Sequence, residues 1–444
     1  MDSTSSPRKV SIVSLGCSKN LVDSELILGS LKKEGFQLSP SEDEADIIIV
    51  NTCGFIGDAK KESVNTILQL SEHKRQGKCE KLIVTGCLVE RYVDELKREL
   101  PEVDSFWGTG NLLKIGEVLK KEKIKKVYKS PPGTVYDPDT PRVLTTPSHT
   151  AYVKVSEGCS RTCSFCIIPK MRGLMKSRRV DSIFGEVNNL AGLGVREINL
   201  IAQDMTSYGR DIGTDLETLL RELAKVEGIK WIRIHYCYPW GLTDSLVNLI
   251  ATEEKIVPYI DMPLQHINDR ILKLMDRKTT SRRIREIIDK LRREIDDLVI
   301  RTTFIVGFPG ETEEEFNELL DFVDEAKFER AGAFKYSQEE GTKAGEMSGQ
   351  ISDEAKEERY ERLMEVQSEV SLRKNRALIG NVHEGFIEGT ENGSYTARIS
   401  SQAPEVDGVT YIKRTKKLKI GDLVKVSITD ADIYDLFGEV VSSS

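Results

Sequence analysis

Apolar and polar positions along the first third of the chain switch between two periods. Short apolar runs at residues 10–15, 46–51 and 82–85 read as buried strands. The stretches after them, 23–34, 56–72 and 88–100, repeat apolar positions at helical spacing, with Gly35 and Pro101 ending the first and the third. Strand followed by helix, three times over, predicts an open parallel sheet with helices on its faces. The alternation returns six times further on, with strands at 151–156, 196–201, 231–236, 257–262, 299–306 and 331–336. Six such units curl into an incomplete (β/α)6 barrel. Residues 352–378 alternate charge sign at helical spacing, the pattern of a solvated connector helix. Beyond Gly380 the pattern shortens to five strand-like runs, 382–387, 395–399, 409–412, 423–429 and 439–441, separated by Asn-Gly and Gly-Asp turns. These predict a small antiparallel β-barrel.

The fold class expected is therefore α/β: an open parallel sheet, a partial (β/α)6 barrel and a small terminal barrel. The expected domains are 1–128, 149–376 and 377–444. Residues 129–148, dense in proline and small polar residues, are expected to be a linker between the first two.

Cysteine placement adds chemistry to this outline. Cys159, Cys163 and Cys166 lie in one short loop after an apolar strand, in Glu-Gly-Cys-Ser-Arg-Thr-Cys-Ser-Phe-Cys. Three thiolates this close suit a soft metal, and no second C-x2-C pair lies nearby to complete a zinc tetrahedron. Iron–sulfur ligation is the better reading, since a four-iron cube held by three cysteines keeps one iron open for a small molecule. A zinc knuckle or a group of buried thiols is the rival. Cys17, Cys53 and Cys87 each follow one of the first three strands. In a parallel sheet those strand ends share one edge, so residues 36 and 34 apart in sequence converge in space. A second three-cysteine cluster is expected there, and buried core cysteines are the plainer alternative. Cys79 and Cys237 have no such partners and read as packing or surface thiols.

Composition narrows the setting. Of 444 residues, 64 are Lys or Arg and 72 are Asp or Glu, a formal net charge of −8. That balance excludes a global attraction to polyanions, leaves room for a local basic patch such as 413–419, and favours encounter with a basic protein. The terminal barrel type often binds nucleic acid. From residue 377 onward, however, 7 basic residues stand against 10 acidic ones, which weakens that reading. The first residues are polar, without the apolar core of a secretory signal, and no apolar run is long enough to span a bilayer. Eight cysteines are too few for a disulfide scaffold, and the expected location is the cytoplasm.

Further candidates fall at the carboxyl ends of the barrel strands, where ligands bind in such folds. Gln203 with Asp204, His235 with Tyr236, and Gln265 with His266 are among them. Gly307 and Gly310 suit either a tight strand-to-helix turn with Glu311 as a first-turn acid, or a ligand contact. Arg178 suits either a carboxylate partner for a ligand or an exposed helix start. His235 and His266 read first as core or turn histidines.

The C-x3-C-x2-C loop resembles that of the radical S-adenosylmethionine (AdoMet) enzymes. With the second cysteine set and the small terminal barrel, nearly the whole chain resembles their methylthiotransferase branch. The stretch Leu15-Gly-Cys-Ser-Lys-Asn-Leu-Val-Asp-Ser-Glu25 is similar to the ribosomal-protein group, whereas the tRNA group shows Gly-Cys-Gln-Met-Asn; 51–56, 336–342 and 403–408 are also similar to the former. Gln338 and the sequence around Met171 to Met175 depart from the pattern without removing a cysteine.

The resemblance implies two four-iron four-sulfur clusters. Cys17, Cys53 and Cys87 match the auxiliary-cluster ligands, and Cys159, Cys163 and Cys166 match the AdoMet-cluster ligands. It further implies a terminal TRAM domain and AdoMet as both radical source and methyl donor, with Gln203, Gly307, Gly310 and Arg178 as candidate AdoMet or substrate contacts. The implied reaction is methylthiolation of the β-carbon of an aspartate in uS12, the twelfth protein of the small ribosomal subunit. An electron donor such as flavodoxin and a sulfur donor are implied partners. An aspartate β-carbon carries an unactivated C–H bond that no tuned base can deprotonate, which is why a radical is required. Two rivals stand beside this: a tRNA adenosine methylthiotransferase, and a non-catalytic iron–sulfur or zinc scaffold.

Overall fold

The computed structural model describes residues 7–121, 123–414 and 417–441. The polar amino-terminal residues 1–6 and part of the 413–419 basic run lie outside them.

The first domain runs β1 (Lys9–Ser14), α1 (Ser18–Lys33), β2 (Gln37–Leu38), β3 (Ile47–Thr52), α2 (Gly57–Gln76), β4 (Lys81–Gly86), α3 (Cys87–Glu99), β5 (Ser105–Trp107), α4 (Ile115–Leu119) and β6 (Val127–Tyr128). Its sheet is all parallel in the order β2-β1-β3-β4-β5-β6. β3 reads Ile-Ile-Ile-Val-Asn-Thr and is buried throughout, as a central parallel strand covered on both faces must be. Ile27 and Leu31 of α1 with Ile115 and Val118 of α4 cover one face. Ile67 and Leu70 of α2 with Leu88 and Leu96 of α3 cover the other. Three short strands, β2, β5 and β6, join the three expected ones. They lack the apolar length that marks a strand in sequence.

Two expectations are corrected here. α1 begins at Ser18 rather than near residue 23, so Cys17 is its N-cap residue. The 129–148 segment carries no helix or strand, yet it is a packed strap rather than a free linker. Tyr136 is buried within it. Arg142 donates to Glu25 of α1 (2.9 Å) and to Glu186 of the second domain (2.6 Å). A Cβ on Gly29 would stand 2.0 Å from the Pro141 carbonyl oxygen, so the strap lies directly on α1.

The second domain comprises β7 (Thr150–Lys154), β8 (Ser156–Glu157), α5 (Ile168–Arg172), β9 (Lys176–Ser177), α6 (Val180–Gly192), β10 (Glu197–Ile201), α7 (Leu216–Ala224), β11 (Trp231–Ile234), α8 (Asp244–Thr252), β12 (Ile256–Asp261), α9 (Asp269–Leu274), α10 (Ser281–Glu294), β13 (Val299–Val306), α11 (Glu313–Ala326), β14 (Arg330–Lys335) and α12 (Asp353–Arg376). Six parallel strands run β7-β10-β11-β12-β13-β14 and do not close, as expected of a partial barrel. α12 is not a solvated connector. Leu363 and Val370 are buried, and Arg359 reaches the buried Glu311 at 2.7 Å, so the helix covers the last strand as the barrel's sixth helix. Its charge pattern hides this because the buried face is mostly polar, with Lys356, Arg359 and Gln367 on it.

The terminal domain is a closed barrel of β15 (Val382–Glu391), β16 (Ser394–Ile399), β17 (Thr410–Ile412), β18 (Leu423–Ala431) and β19 (Leu436–Val440), in the order β15-β16-β17-β19-β18. Its pairs are antiparallel except β17 with β19. It docks at the amino end of the half-barrel. Arg398 of β16 pairs with Glu197, the first residue of β10, and the Tyr259 hydroxyl donates to Asp407 at 2.7 Å. Among the described residues no helix is long and apolar enough to cross a membrane.

Candidate functional site

The first cysteine set is assembled by the sheet. β1, β3 and β4 end in register, with Ser14 beside Asn51 and Asn51 beside Thr85, so Cys17, Cys53 and Cys87 leave the same edge. Gly16, at φ +90°, admits this: a Cβ there would stand 2.8 Å from the Cys53 Cβ. Asn20 donates to the carbonyls of Leu15 (2.8 Å) and Thr52 (3.0 Å), tying two strand ends together. The Ser63 hydroxyl accepts from the Cys53 N–H at 3.1 Å. Cys17 precedes the amino terminus of α1 and Cys87 begins α3, so two helix dipoles present their positive ends to the thiols.

The second set is assembled by a local loop. β8 and β9 pair antiparallel and frame it. The Ser164 N–H and hydroxyl donate to the carbonyls of Met275 (3.0 Å) and Leu274 (2.7 Å), pinning the loop to the end of α9. Arg277 faces the Cys163 Sγ at 3.8 Å. The three thiols open into a cavity of about 210 Å³ whose wall includes Gln203, Tyr236, Tyr238 and Gln265.

The two sets meet. Phe55, two residues after Cys53, lines the cavity beside Cys159, Cys163 and Cys166. Arg172, just after the second loop, is buried with its Nε 3.2 Å from the Cys87 Sγ. Asp23 accepts from Arg172 (2.7 Å) and from Lys154 (2.5 Å), and Glu157 pairs with both cations. A second latch lies to one side: the buried Glu339 takes Lys60 at 2.8 Å and Arg91 at 2.7 Å from the first domain.

The donor chemistry of both sets fits a multinuclear iron group. Burial pushes Cys87 up to about 12, with Arg172 opposing and Cys17 and Cys53 adding to the rise. Burial likewise raises Cys166 to about 12 and Cys159 to about 11. These thiols stay neutral without a bound cation, and a metal must displace their protons.

Of the other sequence candidates, Gln203 lies on the cavity wall and Arg178, Gly307 and Gly310 do not. Arg178 is not an exposed helix start: it is buried, held by Glu186 (2.5 Å) and the Lys154 carbonyl (2.9 Å). The Gly307 N–H donates to the Glu311 carboxylate at 3.0 Å, and both glycines have positive φ, a strand-to-helix turn. His235 and His266 are buried. The first lies 3.8 Å from Asp261, and the second accepts from the Asn268 N–H at 3.0 Å. Cys79 is packed in the first domain's core, whereas Cys237 is buried but lines the cavity. Sequence reasoning missed Phe55, Arg172 and Glu339. Only Phe55, beside a cysteine at a strand end, carried any signal.

A parallel-sheet domain joined to a half-barrel with a C-x3-C-x2-C loop at its mouth, plus a small closed barrel, defines a radical AdoMet enzyme with a second thiol-rich centre. Comparison with known proteins bears this out. Residues 9–108 match Uncharacterized protein family UPF0004, 153–323 the Radical SAM superfamily and 379–441 the TRAM domain. The chain is 50% identical over 442 residues to the ribosomal protein uS12 methylthiotransferase RimO of Geobacter sulfurreducens, covering 98% of this chain and 99% of that one. It is also 50% identical to the same-named protein of Thermoanaerobacter sp., covering 97% and 100%. Among solved structures it is similar to the radical AdoMet methyltransferase TsrM of Kitasatospora setae, with TM-score 0.54 and 12% identity over 88% of this chain and 81% of that chain. The chain belongs to the ribosomal protein uS12 methylthiotransferase family of radical AdoMet enzymes. Enzymes of this family work with two four-iron four-sulfur clusters and AdoMet.

Proposed function

We propose that this chain replaces a hydrogen on the β-carbon of one aspartate of uS12 with a methylthio group, holding its auxiliary cluster on Cys17, Cys53 and Cys87 and its AdoMet cluster on Cys159, Cys163 and Cys166. The observation that carries this is the bridging of the two thiol sets by Arg172, which donates to Cys87, and by Phe55, which follows Cys53 and lines the cavity. When bound, the AdoMet cluster supplies the electron that starts radical chemistry and the auxiliary cluster supplies the sulfur. The protein's share is placement and exclusion of water. The Cys159 loop and Gln203 bind and orient AdoMet in the cavity. Arg172 donates to the Cys87 thiol and, through Asp23 and Glu157, ties the first domain to the barrel. Phe55 keeps the space between the sets dry.

Residues 1–128, 149–376 and 377–444 act as auxiliary-cluster, AdoMet and TRAM units, with the 129–148 strap setting the first against the second. A reductant such as flavodoxin and a sulfur donor complete the cycle in the cytoplasm. The net acidity of the terminal barrel favours a basic protein over tRNA as the bound partner. Mass spectrometry of uS12 after anaerobic incubation with the loaded enzyme, AdoMet, sulfide and a reductant tests this. The expected result is a gain of one methylthio group on a single aspartate. Modification of tRNA adenosine instead would overturn it.

A further inference from the structure

Lys19 stands two residues after Cys17, in the first turn of α1, and is 5% exposed. Its ammonium lies 3.2 Å from the centroid of the Tyr236 ring. That ring is part of the cavity wall shared with Cys159, Cys163 and Cys166. Lys19 thus spans the gap from the first thiol set to the edge of the second.

Among the described residues, no carboxylate pairs with this ammonium. The other cations around the two sets are accounted for. Lys154 and Arg172 share Asp23 and Glu157. Arg161 holds Asp204 at 2.6 Å, and Arg277 donates to the Pro263 carbonyl and faces Cys163. Lys19 alone of this group rests on nothing but a ring face, a weak partner for the cation of so buried a side chain. The Tyr236 backbone is in the left-handed region, at φ 63°, which an aromatic residue rarely adopts, so the surrounding structure fixes this turn at the cavity wall. α1 begins with no side-chain cap and no acidic residue in its first turn, so the local field also favours an anion.

We propose that Lys19 binds the carboxylate of the substrate aspartate and thereby makes the site selective for an anionic side chain. The inference rests on the reading above that the substrate is an aspartate of uS12. A charge-assisted hydrogen bond from the ammonium is stronger than the ring contact it replaces. Gripped there, the carboxylate sets its adjoining β-carbon between the two thiol sets. Asparagine has the same shape without the charge, so it isolates the effect.

The test measures equilibrium binding of uS12, and of uS12 with that aspartate changed to asparagine, to the cluster-loaded full chain. The wild-type enzyme is expected to prefer the aspartate form by roughly tenfold or more. Lys19→Met is expected to bind the two forms about equally, and Lys19→Arg to keep the preference. Iron content of each variant is measured alongside, and Lys19→Gln repeats the comparison if Lys19→Met fails to load. A wild-type preference that persists in the neutral variants, or no preference in the wild type, would overturn the proposal. Loss of iron from both neutral variants would also overturn it, marking the cation as structural. Failure of the underlying reading is a separate result: uS12 left unmodified by the wild-type enzyme.

Discussion

The two thiol sets reach similar chemistry by opposite routes. Cys159, Cys163 and Cys166 sit within one loop, pinned by two hydrogen bonds from Ser164, and their spacing needs little beyond local geometry. Cys17, Cys53 and Cys87 come from three strand ends and converge only because β1, β3 and β4 are in register. The first set is written in the chain and the second in the fold. Damage to the sheet edge should therefore empty one centre and spare the other, whereas damage to the short loop is local.

The largest separation is expected from the cysteines themselves. Cys163→Ala should abolish AdoMet cleavage to deoxyadenosine, while Cys53→Ala should leave cleavage intact and block methylthiolated product, both read by chromatography of the quenched reaction. Methylthiolated product from the Cys53 variant would erase the division between the sets.

Gly54→Val attacks the sheet edge without touching a thiol. A Cβ there would lie 2.8 Å from the backbone of Leu88, so α3 must shift and carry Cys87 with it. Iron content should fall by about half, with AdoMet cleavage retained.

A smaller effect is expected at the Glu339 latch between the first domain and the half-barrel. Glu339→Ala frees Lys60 and Arg91, and a displacement on the order of 1 Å costs roughly a hundredfold in product formation, with iron content unchanged. Equal losses in cleavage and product would mean the latch does not govern the distance between the sets.

The smallest effect on chemistry belongs to the terminal barrel's anchor. Burial alone would raise Glu197, but Arg398 and Arg233 outweigh it and hold the carboxyl down at about 2. A depressed folded value stabilises the protein above the ordinary carboxylate range, and that stability is lost as pH falls from about 4.5 toward 2. Glu197→Gln should cost roughly 3–5 kcal/mol by thermal or denaturant unfolding, because it takes the carboxylate from the buried Arg233 and leaves Arg398 with Glu388 alone. It should leave iron content and AdoMet cleavage alone.

What was legible in the sequence follows the same contrast. The six barrel strands, the C-x3-C-x2-C loop and the convergence of Cys17, Cys53 and Cys87 were readable because apolar runs and residue spacing report strand ends directly. The strap at 129–148 was not, since proline-rich polar sequence looks the same whether free or laid across Glu25 and Glu186. α12 was misread because its buried face is polar. The groups between the sets, Arg172, Asp23, Lys154 and Glu157, left no trace in the pattern: buried ion pairs resemble ordinary surface charge until tertiary structure brings them together.

The central claim is that one chain carries two separate iron centres, one built by the fold and one by a loop. Iron and sulfide per chain after anaerobic reconstitution test it most directly, on the wild type and on two variants in which either set of three cysteines is replaced by alanine. The account predicts about eight irons in the wild type and about four in each variant. About four in the wild type, or an undiminished count in either variant, would contradict it.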